Sequence, residues 1–517
     1  MRKNKTPAIM VQGTGSNVGK SLLVAGLCRL LASRGLRVAP FKAQNMSLNS
    51  WVTNNGHEIG IAQALQARAC CTEPTALMNP VLLKPVGHLG SQVILLGKPL
   101  GIMTYRQYTK IKPQIWHHIR KAYDELGRNY DCLVLEGAGS PAEINLSRYD
   151  LANMAMAAYA GAKVLLAADI DRGGAFAALA GTMQLIKPRY RKLVGAFCLN
   201  KFRGDANLLK PAIKRISRLC QTPFLGTIPF IDELNLPEED SFGLYAKNTN
   251  NLQGPCLDIA IVNLPGISNI SDWDALRCEP DVRLRMLSRP EDIGHPDLLI
   301  LPGSRTVPKA IRFLHDSGLA KAIKGYCSNI SGRGNILGIC AGLQIMGAFV
   351  NDPLSLEGGG THRGLAILPH STTICKSKIL DRQLVIVDPV LTGSQHTGKG
   401  YEIHHGVLHN AAKPVMWNDS GQPMGWGANS NPRRIWGTWL HGILATDSFR
   451  HALLSRLRKE AGLKPQEQVH YEPDADLNKL ATILEQSLDM GRLMSWLTPQ
   501  KPEKTRCKAF HYTSRIY

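Results

Sequence analysis

Several features that would place a protein in a special class are missing from this sequence. No apolar run approaches the roughly 18 residues that a helix needs to cross a bilayer, so we expect no membrane span. The twelve cysteines form no Cys-x-x-Cys pair, and only Cys70 and Cys71 are adjacent, which argues against a zinc site and against a disulfide framework. No arginine-rich or aromatic-interleaved basic motif occurs, so we expect no nucleic acid among the partners.

Size and composition fit a multidomain globular protein. The chain has 517 residues, which at about 150 residues per domain suggests two to four domains. Its 44% hydrophobic and 20% charged residues are typical of soluble proteins. Lysine and arginine outnumber aspartate and glutamate by 61 to 40, yet they are spread along the chain and only residues 501–517 are densely basic. The net charge of +21 fits a polyanionic substrate, and fits a generally basic proteome equally well.

A glycine-rich turn lies between an apolar run and a helix near the start of the chain. Residues 7–12 predict a short buried strand, and residues 21–33 carry apolar side chains at helical spacing. Backbone N–H groups and a helix N-terminus therefore converge on the turn, an arrangement that binds phosphate. We expect Lys20 to reach the β- and γ-phosphates of ATP and the Ser21 hydroxyl to meet Mg²⁺. The predicted ATP-binding turn is Gly13, Thr14, Gly15, Ser16, Asn17, Val18, Gly19, Lys20 and Ser21.

The spacing of this turn is unusual, because five residues separate Gly13 from Gly19, one more than in the usual P-loop pattern. The variant resembles the loop of dethiobiotin synthetase and its relatives. The alternative is a glycine-rich turn with an incidental lysine. The apolar run behind the basic residues 1–5 leads directly into the turn, so we interpret it as a first strand rather than a secretory signal and expect a cytoplasmic protein.

Polar side chains follow two further predicted strands of this half. Lys42, Gln44 and Asn45 belong to a predicted loop at 42–50, where they would face the nucleotide or its acceptor unless the loop is only a polar surface. Glu136 follows a strand at 131–135. Its carboxylate would bind Mg²⁺ together with Ser21, the alternative being a cap on the glycine turn behind it.

Strands and helices alternate along the first half of the chain, which is typical of a parallel sheet. We expect Asp150 and Asn153 on a helix beside the Glu136 pocket. Asn200 follows a strand at 193–199, where it would bind the adenine edge or cap the loop. A polar stretch at 234–254 is the expected linker.

A second series of strands and helices begins at Leu257, and its centre is the run 336–347. Cys340 lies there between a buried strand and an amphipathic helix, with small neighbours that permit the strained turn of a nucleophile elbow. The helix N-terminus favours the thiolate, although an ordinary buried cysteine is the alternative. His441 is the expected base of a catalytic Cys340–His441 pair, whereas His404 and His405 are interpreted as structural or interfacial. A helical stretch at 476–497 and a poorly ordered basic tail at 501–517 complete the chain.

An ATP site and a Cys/His site on separate α/β domains are typical of glutamine-dependent ATP amidotransferases. Longer stretches are more specific than these two sites, and they are FKAQNMSLNS at 41–50, MNP at 78–80, LEGAGSPAEINL at 135–146, NKFRGD at 200–205 and LPGSR at 301–305. In these stretches the sequence resembles the cobyric acid synthase family of the cobalamin pathway. The likeness covers about residues 7–450.

The resemblance implies an α/β fold with two parallel-sheet domains. They would be a P-loop, dethiobiotin-synthetase-like ATP-binding domain at 1–250 and a flavodoxin-like class I glutamine amidotransferase domain at 256–450, followed by a helical segment and tail at 451–517. The implied reaction uses glutamine, ATP and Mg²⁺ to amidate the b, d, e and g carboxylates of a corrinoid polycarboxylate, adenosylcobyrinic acid a,c-diamide. Cobyrinic acid a,c-diamide synthase is the nearest alternative. A MinD-type regulatory ATPase is an alternative of another class, but it would not need Cys340 and His441.

Two positions depart from the family patterns. Ala341 stands where the family usually has a second glycine. Backbone N–H groups near Gly303 and Ala341 are expected to hold the oxyanion, so this departure lies next to one of them. Ile443 stands two residues after His441, where class I amidotransferases in general have a glutamate. The third member of the triad is therefore expected to be missing or replaced.

Overall fold

The computed structural model describes residues 5–87, 90–145, 150–232, 234–237, 254–328 and 334–498. The basic tail at 501–517 lies outside the described residues, as does the expected linker apart from residues 234–237 and 254. Across the described ranges, no helix is long and apolar enough to cross a membrane.

The first half of the chain, residues 5–232, alternates strands with helices. Its strands are β1 (Ala8–Gly13), β2 (Val38–Phe41), β3 (Gln44–Met46), β4 (Ser50–Val52), β5 (Glu58–Gly60), β6 (Val81–Pro85), β7 (Ser91–Leu95), β8 (Lys98–Met103), β9 (Cys132–Glu136), β10 (Lys163–Asp169), β11 (Val194–Phe202) and β12 (Phe224–Pro229). Its helices are α1 (Lys20–Ser33), α2 (Ile61–Ala69), α3 (Tyr105–Gly127), α4 (Met154–Ala160), α5 (Ala175–Leu185), α6 (Pro188–Arg191) and α7 (Lys210–Cys220).

A six-stranded parallel sheet with the order β12-β11-β10-β1-β9-β2 forms the core of this half. Every residue of β1 is buried, as expected of a central strand in a parallel sheet covered on both faces. The parallel register brings the carboxyl ends of β1, β9, β10 and β11 to one edge. The phosphate loop, Glu136 and Asn200 therefore meet at that edge, which is where ligands bind in open α/β sheets.

Two local predictions in this half are wrong. Residues 42–50 are not all loop, because Gln44–Met46 form β3, which pairs with β6 in a separate sheet of order β3-β6-β7-β8. The strand is mostly polar and so lacks the apolar pattern by which strands are predicted. Its Gln44 side chain accepts a hydrogen bond from the Tyr108 hydroxyl at 2.6 Å. Asp150 and Asn153 precede α4 and are not on it. The Asp150 carboxylate accepts backbone N–H groups of residues 152, 153 and 155, so it caps the start of the helix.

The second half of the chain, from residue 254 onward, contains the remaining elements. Its strands are β13 (Leu257–Val262), β14 (Val282–Leu287), β15 (Leu298–Leu301), β16 (Ile336–Ile339), β17 (Phe349–Asp352), β18 (Gly360–Arg363), β19 (Ser371–Val387), β20 (His396–His409), β21 (Lys413–Asn418), β22 (Pro423–Gly427) and β23 (Ile435–Thr438). Its helices are α8 (Asp274–Arg277), α9 (Val307–Asp316), α10 (Leu319–Ser328), α11 (Ala341–Met346), α12 (Pro389–Thr392), α13 (Asp447–Glu460), α14 (Pro473–Ser487) and α15 (Met490–Ser495).

The second sheet is parallel only in part. Strands β14-β13-β15-β16-β23 run parallel, and the sheet then continues through antiparallel pairs from β23 to β22, β21 and β19. The predicted α/β class with two sheet-based domains is confirmed, and the antiparallel extension is an addition that the sequence analysis did not predict. The long hairpin of β19 and β20 is half exposed, so it lacks the continuous apolar run by which the parallel strands are recognised.

The end of the described chain returns to the first half. The stretch predicted as one helix at 476–497 is two helices, because Leu488 lies between α14 and α15 and forms a β-bridge with Gly226 of β12. Helix α14 packs closely on α1, since a Cβ added at Gly26 would lie 2.4 Å from Leu484 Cδ1. Leu480 and Leu484 are buried in the same apolar cluster as Leu23. The C-terminal helices thus help to cover the first sheet.

Candidate active site

The glycine-rich turn has the geometry of a phosphate loop. Gly19 has a φ of 91°, and a Cβ there would lie 2.3 Å from Asn200 Nδ2, so only glycine fits both the backbone and the space. Lys20 Nζ donates to the carbonyl of Gly15 at 2.8 Å and to that of Gly139 at 3.0 Å. The loop residues Ser16, Asn17, Gly19, Lys20 and Ser21 line a cleft of about 1410 Å³, and Gly13, Thr14, Gly15 and Val18 complete the turn.

Glu136 and Ser21, predicted as partners, lie together at the floor of this cleft. The Ser21 hydroxyl donates to Glu136 Oε1 at 2.8 Å, and Lys42 Nζ donates to the same oxygen at 2.8 Å. Gln66 Nε2 donates to Glu136 Oε2 at 2.6 Å. Burial alone would raise the pKa of Glu136, but the Lys42 cation and these hydrogen bonds hold that pKa below its usual value. The carboxylate is therefore charged.

This donor set fits a nucleotide-bound magnesium ion. Among the described residues, no cluster of three or more His, Cys, Asp or Glu side chains could hold a metal by itself. Mg²⁺ does not need such a cluster, because it commonly takes one or two protein oxygens together with phosphate oxygens and water. The Ser21 hydroxyl and the Glu136 carboxylate supply such oxygens beside the phosphate loop.

Asn200 contacts the phosphate loop itself. Its Nδ2 donates to the Val18 carbonyl at 2.9 Å, and the neighbouring Lys201 donates to the Asn17 carbonyl at 2.7 Å and to Asp169 at 2.9 Å. These bonds fix the backbone of the loop. Asn200 also lines this cleft, and its proposed contact with adenine stays a prediction.

Cys340 occupies a sharp turn between β16 and α11. Its φ of 52° and ψ of −101° are strained for a residue with a side chain, as expected of a nucleophile elbow. A Cβ at Gly342 would lie 1.9 Å from the Leu301 carbonyl oxygen, so the turn closes only with glycine at that position. The thiol itself is buried and contacts the Ile403 carbonyl at 3.6 Å.

His441 lies beside Cys340, and a carboxylate orients its ring. The two side chains line the same cavity, and His441 Nδ1 bonds Asp272 Oδ2 at 2.7 Å. Burial would lower the pKa of His441, but Asp272 and Cys340 raise that pKa to about 10. Asp272 Oδ1 also accepts the Gly442 N–H at 2.8 Å. The arrangement can therefore hold a charged imidazole ring beside the Cys340 side chain, as nucleophilic catalysis by a cysteine requires.

Comparisons with known proteins agree on both halves. Residues 9–242 match the family described as the CobQ/CobB/MinD/ParA nucleotide binding domain, and residues 258–449 match the CobB/CobQ-like glutamine amidotransferase domain. Cobyric acid synthase of Nitratidesulfovibrio vulgaris is 44% identical, over 96% of this chain and 98% of that protein. Cobyric acid synthase of Moorella thermoacetica is 42% identical over 96% and 98%. The chain belongs to the cobyric acid synthase family. The predicted resemblance is thereby confirmed.

Asp272 is a residue beside His441 that the sequence analysis missed. It belongs to a buried turn at Ile270–Trp273, 169 residues before His441, and no motif marks it. The position after His441 where other class I amidotransferases have glutamate holds Ile443, which is fully buried among apolar side chains. The third triad member was expected to be missing or replaced, and Asp272, a carboxylate from a distant part of the chain, is the candidate replacement.

The cavity beside Cys340 is small, about 40 Å³, and both halves of the chain line it. Lys84 comes from β6 of the first half, whereas Arg305, Glu357 and Lys378 come from the second. His405, also in the wall, donates from Nδ1 to the Cys375 carbonyl at 3.1 Å, and burial lowers the pKa of its ring to about 4. His404 stacks on Trp439 with ring centroids 3.8 Å apart, consistent with its interpretation as structural.

Proposed function

We propose that this chain uses ATP and glutamine to amidate the b, d, e and g carboxylates of adenosylcobyrinic acid a,c-diamide, giving adenosylcobyric acid. The observation that carries the proposal is one chain with both a phosphate loop at a sheet edge and a Cys340–His441–Asp272 arrangement. An amidoligase of this kind needs both sites, one to activate a carboxylate and one to release ammonia. A MinD-type ATPase would need only the first.

In the glutaminase half, Cys340 Sγ attacks the side-chain amide carbon of glutamine. His441 donates its proton to the leaving ammonia, and Asp272 holds the imidazole in the orientation that this transfer requires. We expect backbone N–H groups near Gly303 and Ala341 to stabilise the oxyanion. A Cβ at Gly303 would lie 2.8 Å from His441 Cε1, so a larger residue at this position would clash with the imidazole ring. Water then releases glutamate from the thioester.

In the synthetase half, Lys20 and the loop N–H groups hold the phosphates of ATP while a substrate carboxylate attacks the γ-phosphate. Ser21 and Glu136 would hold Mg²⁺, which would neutralise phosphate charge. The product of this step is an acyl phosphate, which ammonia converts to the amide with loss of phosphate. Lys42, which is 4% exposed and paired with Glu136, contributes a positive charge beside the reacting groups.

We assign the acid substrate to the part of the cleft away from Asn200. Its wall there includes Tyr105, Tyr108, Lys112 and Ile144, a mixture of apolar surface and positive charge that suits a large ring carrying carboxylates. A cleft of about 1410 Å³ has room for more than a nucleotide. ATP and glutamine are both cytoplasmic metabolites, so we propose the cytoplasm as the location.

We also propose how the chain divides into functional units. Residues 1–250 form the ATP-binding unit and residues 256–450 the glutaminase unit. The segment from 451 onward contributes to both, because α13 follows directly on the second sheet and α14 packs on α1 of the first.

The test is to supply corrinoid acids with ATP and glutamine and to weigh the product. Adenosylcobyrinic acid a,c-diamide should gain up to four amide groups, with one ATP and one glutamine consumed for each. Amidation of cobyrinic acid only at its a and c carboxylates would instead identify the diamide synthase. ATP hydrolysis with no corrinoid product from either nitrogen source would exclude both.

A further inference from the structure

One short stretch of the first half contacts both reaction centres. We call residues 49–66 the bridging segment. It contains β4 and β5, whose residues pair as an antiparallel hairpin, and the first part of α2. The hairpin packs against the second half, and α2 packs against α1 and the floor of the ATP cleft.

The hairpin end of the bridging segment lies against the turn that carries Asp272. Ser50 N–H donates to Asn269 Oδ1 at 2.9 Å, and Asn49 Oδ1 accepts the Ile270 N–H at 3.1 Å. The Trp51 ring lies 4.7 Å from the ring of Tyr401, which stacks in turn on His441 at 5.6 Å. The hairpin is therefore connected to His441 through one intervening ring, that of Tyr401.

A buried ion cluster joins the same hairpin to the glutamine cavity. Glu58 has no exposed surface and pairs with Lys84 at 2.9 Å and with Lys378 of the second half. Ser50 Oγ donates to Glu58 Oε1 at 2.9 Å. Lys84 and Lys378 both line the cavity beside Cys340. Lys84 and Lys378 are both paired with Glu58, so the position of this carboxylate affects the positions of two positive charges beside the cavity.

The helical end of the bridging segment reaches the proposed magnesium carboxylate. Gln66 Nε2 donates to Glu136 Oε2 at 2.6 Å and to the Ser21 carbonyl at 3.3 Å. The backbone between the two ends is tightly packed. A Cβ at Gly60 would lie 2.6 Å from both Asn45 Nδ2 and Gln63 Oε1, and the Gly60 N–H is held by Asn79 Oδ1 at 3.0 Å. The segment is therefore closely packed at Gly60, between its two ends.

We propose that the bridging segment couples glutamine hydrolysis to occupancy of the ATP site, and that Glu58 is the positioning residue through which Lys84 and Lys378 are set for glutamine binding. Nucleotide binding at Ser21 and Glu136 changes the partners of Gln66, and α2 and β5 carry that change to Glu58. The proposal rests on the proposed function. Such coupling would limit the loss of ammonia, because glutamine is then hydrolysed faster when an acyl phosphate can form.

The test compares glutamate released with amide formed. Glu58→Gln removes the anion between the lysines, and the double variant Glu58→Gln/Lys378→Met removes one charge of each sign, so it leaves the cluster no more positive than in the unsubstituted protein. The matched control is Glu73→Gln, because Glu73 also pairs across the two halves, with Arg382 at 3.8 Å, but is largely exposed. For each protein, glutaminase is measured with and without ATP and the corrinoid acid, and synthesis is measured from glutamine and from ammonia.

The unsubstituted protein should hydrolyse glutamine at least about 5-fold faster when ATP and acid are present, the lower end of ordinary coupling between two sites. In both Glu58 variants this stimulation should disappear and the ratio of glutamate to amide should rise several-fold, while synthesis from ammonia stays within about 2-fold. Glu73→Gln should behave like the unsubstituted protein.

Other outcomes overturn the inference. If ATP and the corrinoid acid do not change the rate of glutamine hydrolysis by the unsubstituted protein, the segment does not couple the sites. The same holds if both Glu58 variants keep the stimulation. If both variants lose synthesis from ammonia as well, the cluster only holds the halves together. Failure of the proposed function is a separate result, since the unsubstituted protein would then form no amide from either nitrogen source.

Discussion

Replacing Asp272 with asparagine would test the glutaminase geometry by a change of charge without a change of shape. One carboxylate oxygen accepts from His441 Nδ1 at 2.7 Å and the other accepts the Gly442 N–H at 2.8 Å. Asparagine has only one acceptor oxygen, and the fixed Gly442 N–H holds it, so the amide NH₂ turns toward Nδ1. The ring must then carry its proton on Nε2, where it can no longer accept a proton from Cys340.

The size of the effect follows from the His441 environment. Its pKa of about 10, against the ordinary 6.5, corresponds to roughly 5 kcal/mol in favour of the imidazolium. Asp272 is the first of the groups that raise this pKa, and both side chains are 1% exposed, so solvent screens the interaction little. In a serine protease triad the same substitution lowers kcat by about 10⁴-fold. We expect glutamine hydrolysis to fall by about 10³- to 10⁴-fold.

The assay is glutamate release, with ammonia-dependent synthesis as the internal measure of folding. Asp274→Asn is the matched control, because Asp274 is also buried and is only two residues away, but pairs with Arg277 at 3.8 Å. Synthesis from ammonia should survive in both variants. Glutamine hydrolysis within about 3-fold of normal in Asp272→Asn would refute the triad, since the loss of the correct tautomer cannot be so mild.

Further predictions concern the same two centres. Cys340→Ala should abolish glutamine-dependent amidation and spare synthesis from ammonia, and loss of both activities would make the cysteine structural. Lys20→Ala should remove synthesis from either nitrogen source, because phosphate charge is no longer stabilised, and an unchanged ammonia-dependent rate would contradict the ATP assignment. Glu136→Gln should raise the Mg²⁺ concentration for half-maximal synthesis and spare glutaminase, whereas an unchanged requirement at full activity would show that the metal role is wrong. Because its pKa is raised, the charged ring of His441 stabilises the fold fully below pH 6.5 and loses this contribution as the pH rises through 10. The ring loses its proton over the same range, so kcat/KM for glutamine should fall above about pH 10, and at lower pH in Asp272→Asn.

The fold was predictable where burial is uniform. The central strands β1, β9, β10 and β16 are continuous apolar runs, and glycines mark the turns that follow them. The prediction failed where a strand is polar or only half buried. β3 consists of Gln44, Asn45 and Met46, and its place depends on pairing with β6 rather than on its own composition.

Candidate site residues that belong to a local motif can be proposed from the sequence, whereas those defined only by a contact in the fold cannot. Cys340 and Lys20 belong to local patterns whose chemistry follows from spacing. Lys378 lies 320 residues from Glu58, and no local pattern can indicate that the two side chains meet. The same holds for Gln66, an ordinary residue of an amphipathic helix until the structure places its amide on Glu136.

The position of Asp272 shows why the three proposed triad residues can follow one another in any order along the chain. Asp272 follows β13, Cys340 follows β16 and His441 follows β23, and these are parallel strands of one sheet with the order β13-β15-β16-β23. Their carboxyl ends share an edge, so a carboxylate after any nearby strand can reach the imidazole. A glutamate at 443 would have to enter the apolar layer that Ile443 fills, where its charge would be costly. The turn after β13 lies at the same edge and offers the Gly442 N–H as a second partner for the carboxylate, so this chain can support His441 from there without disturbing its core.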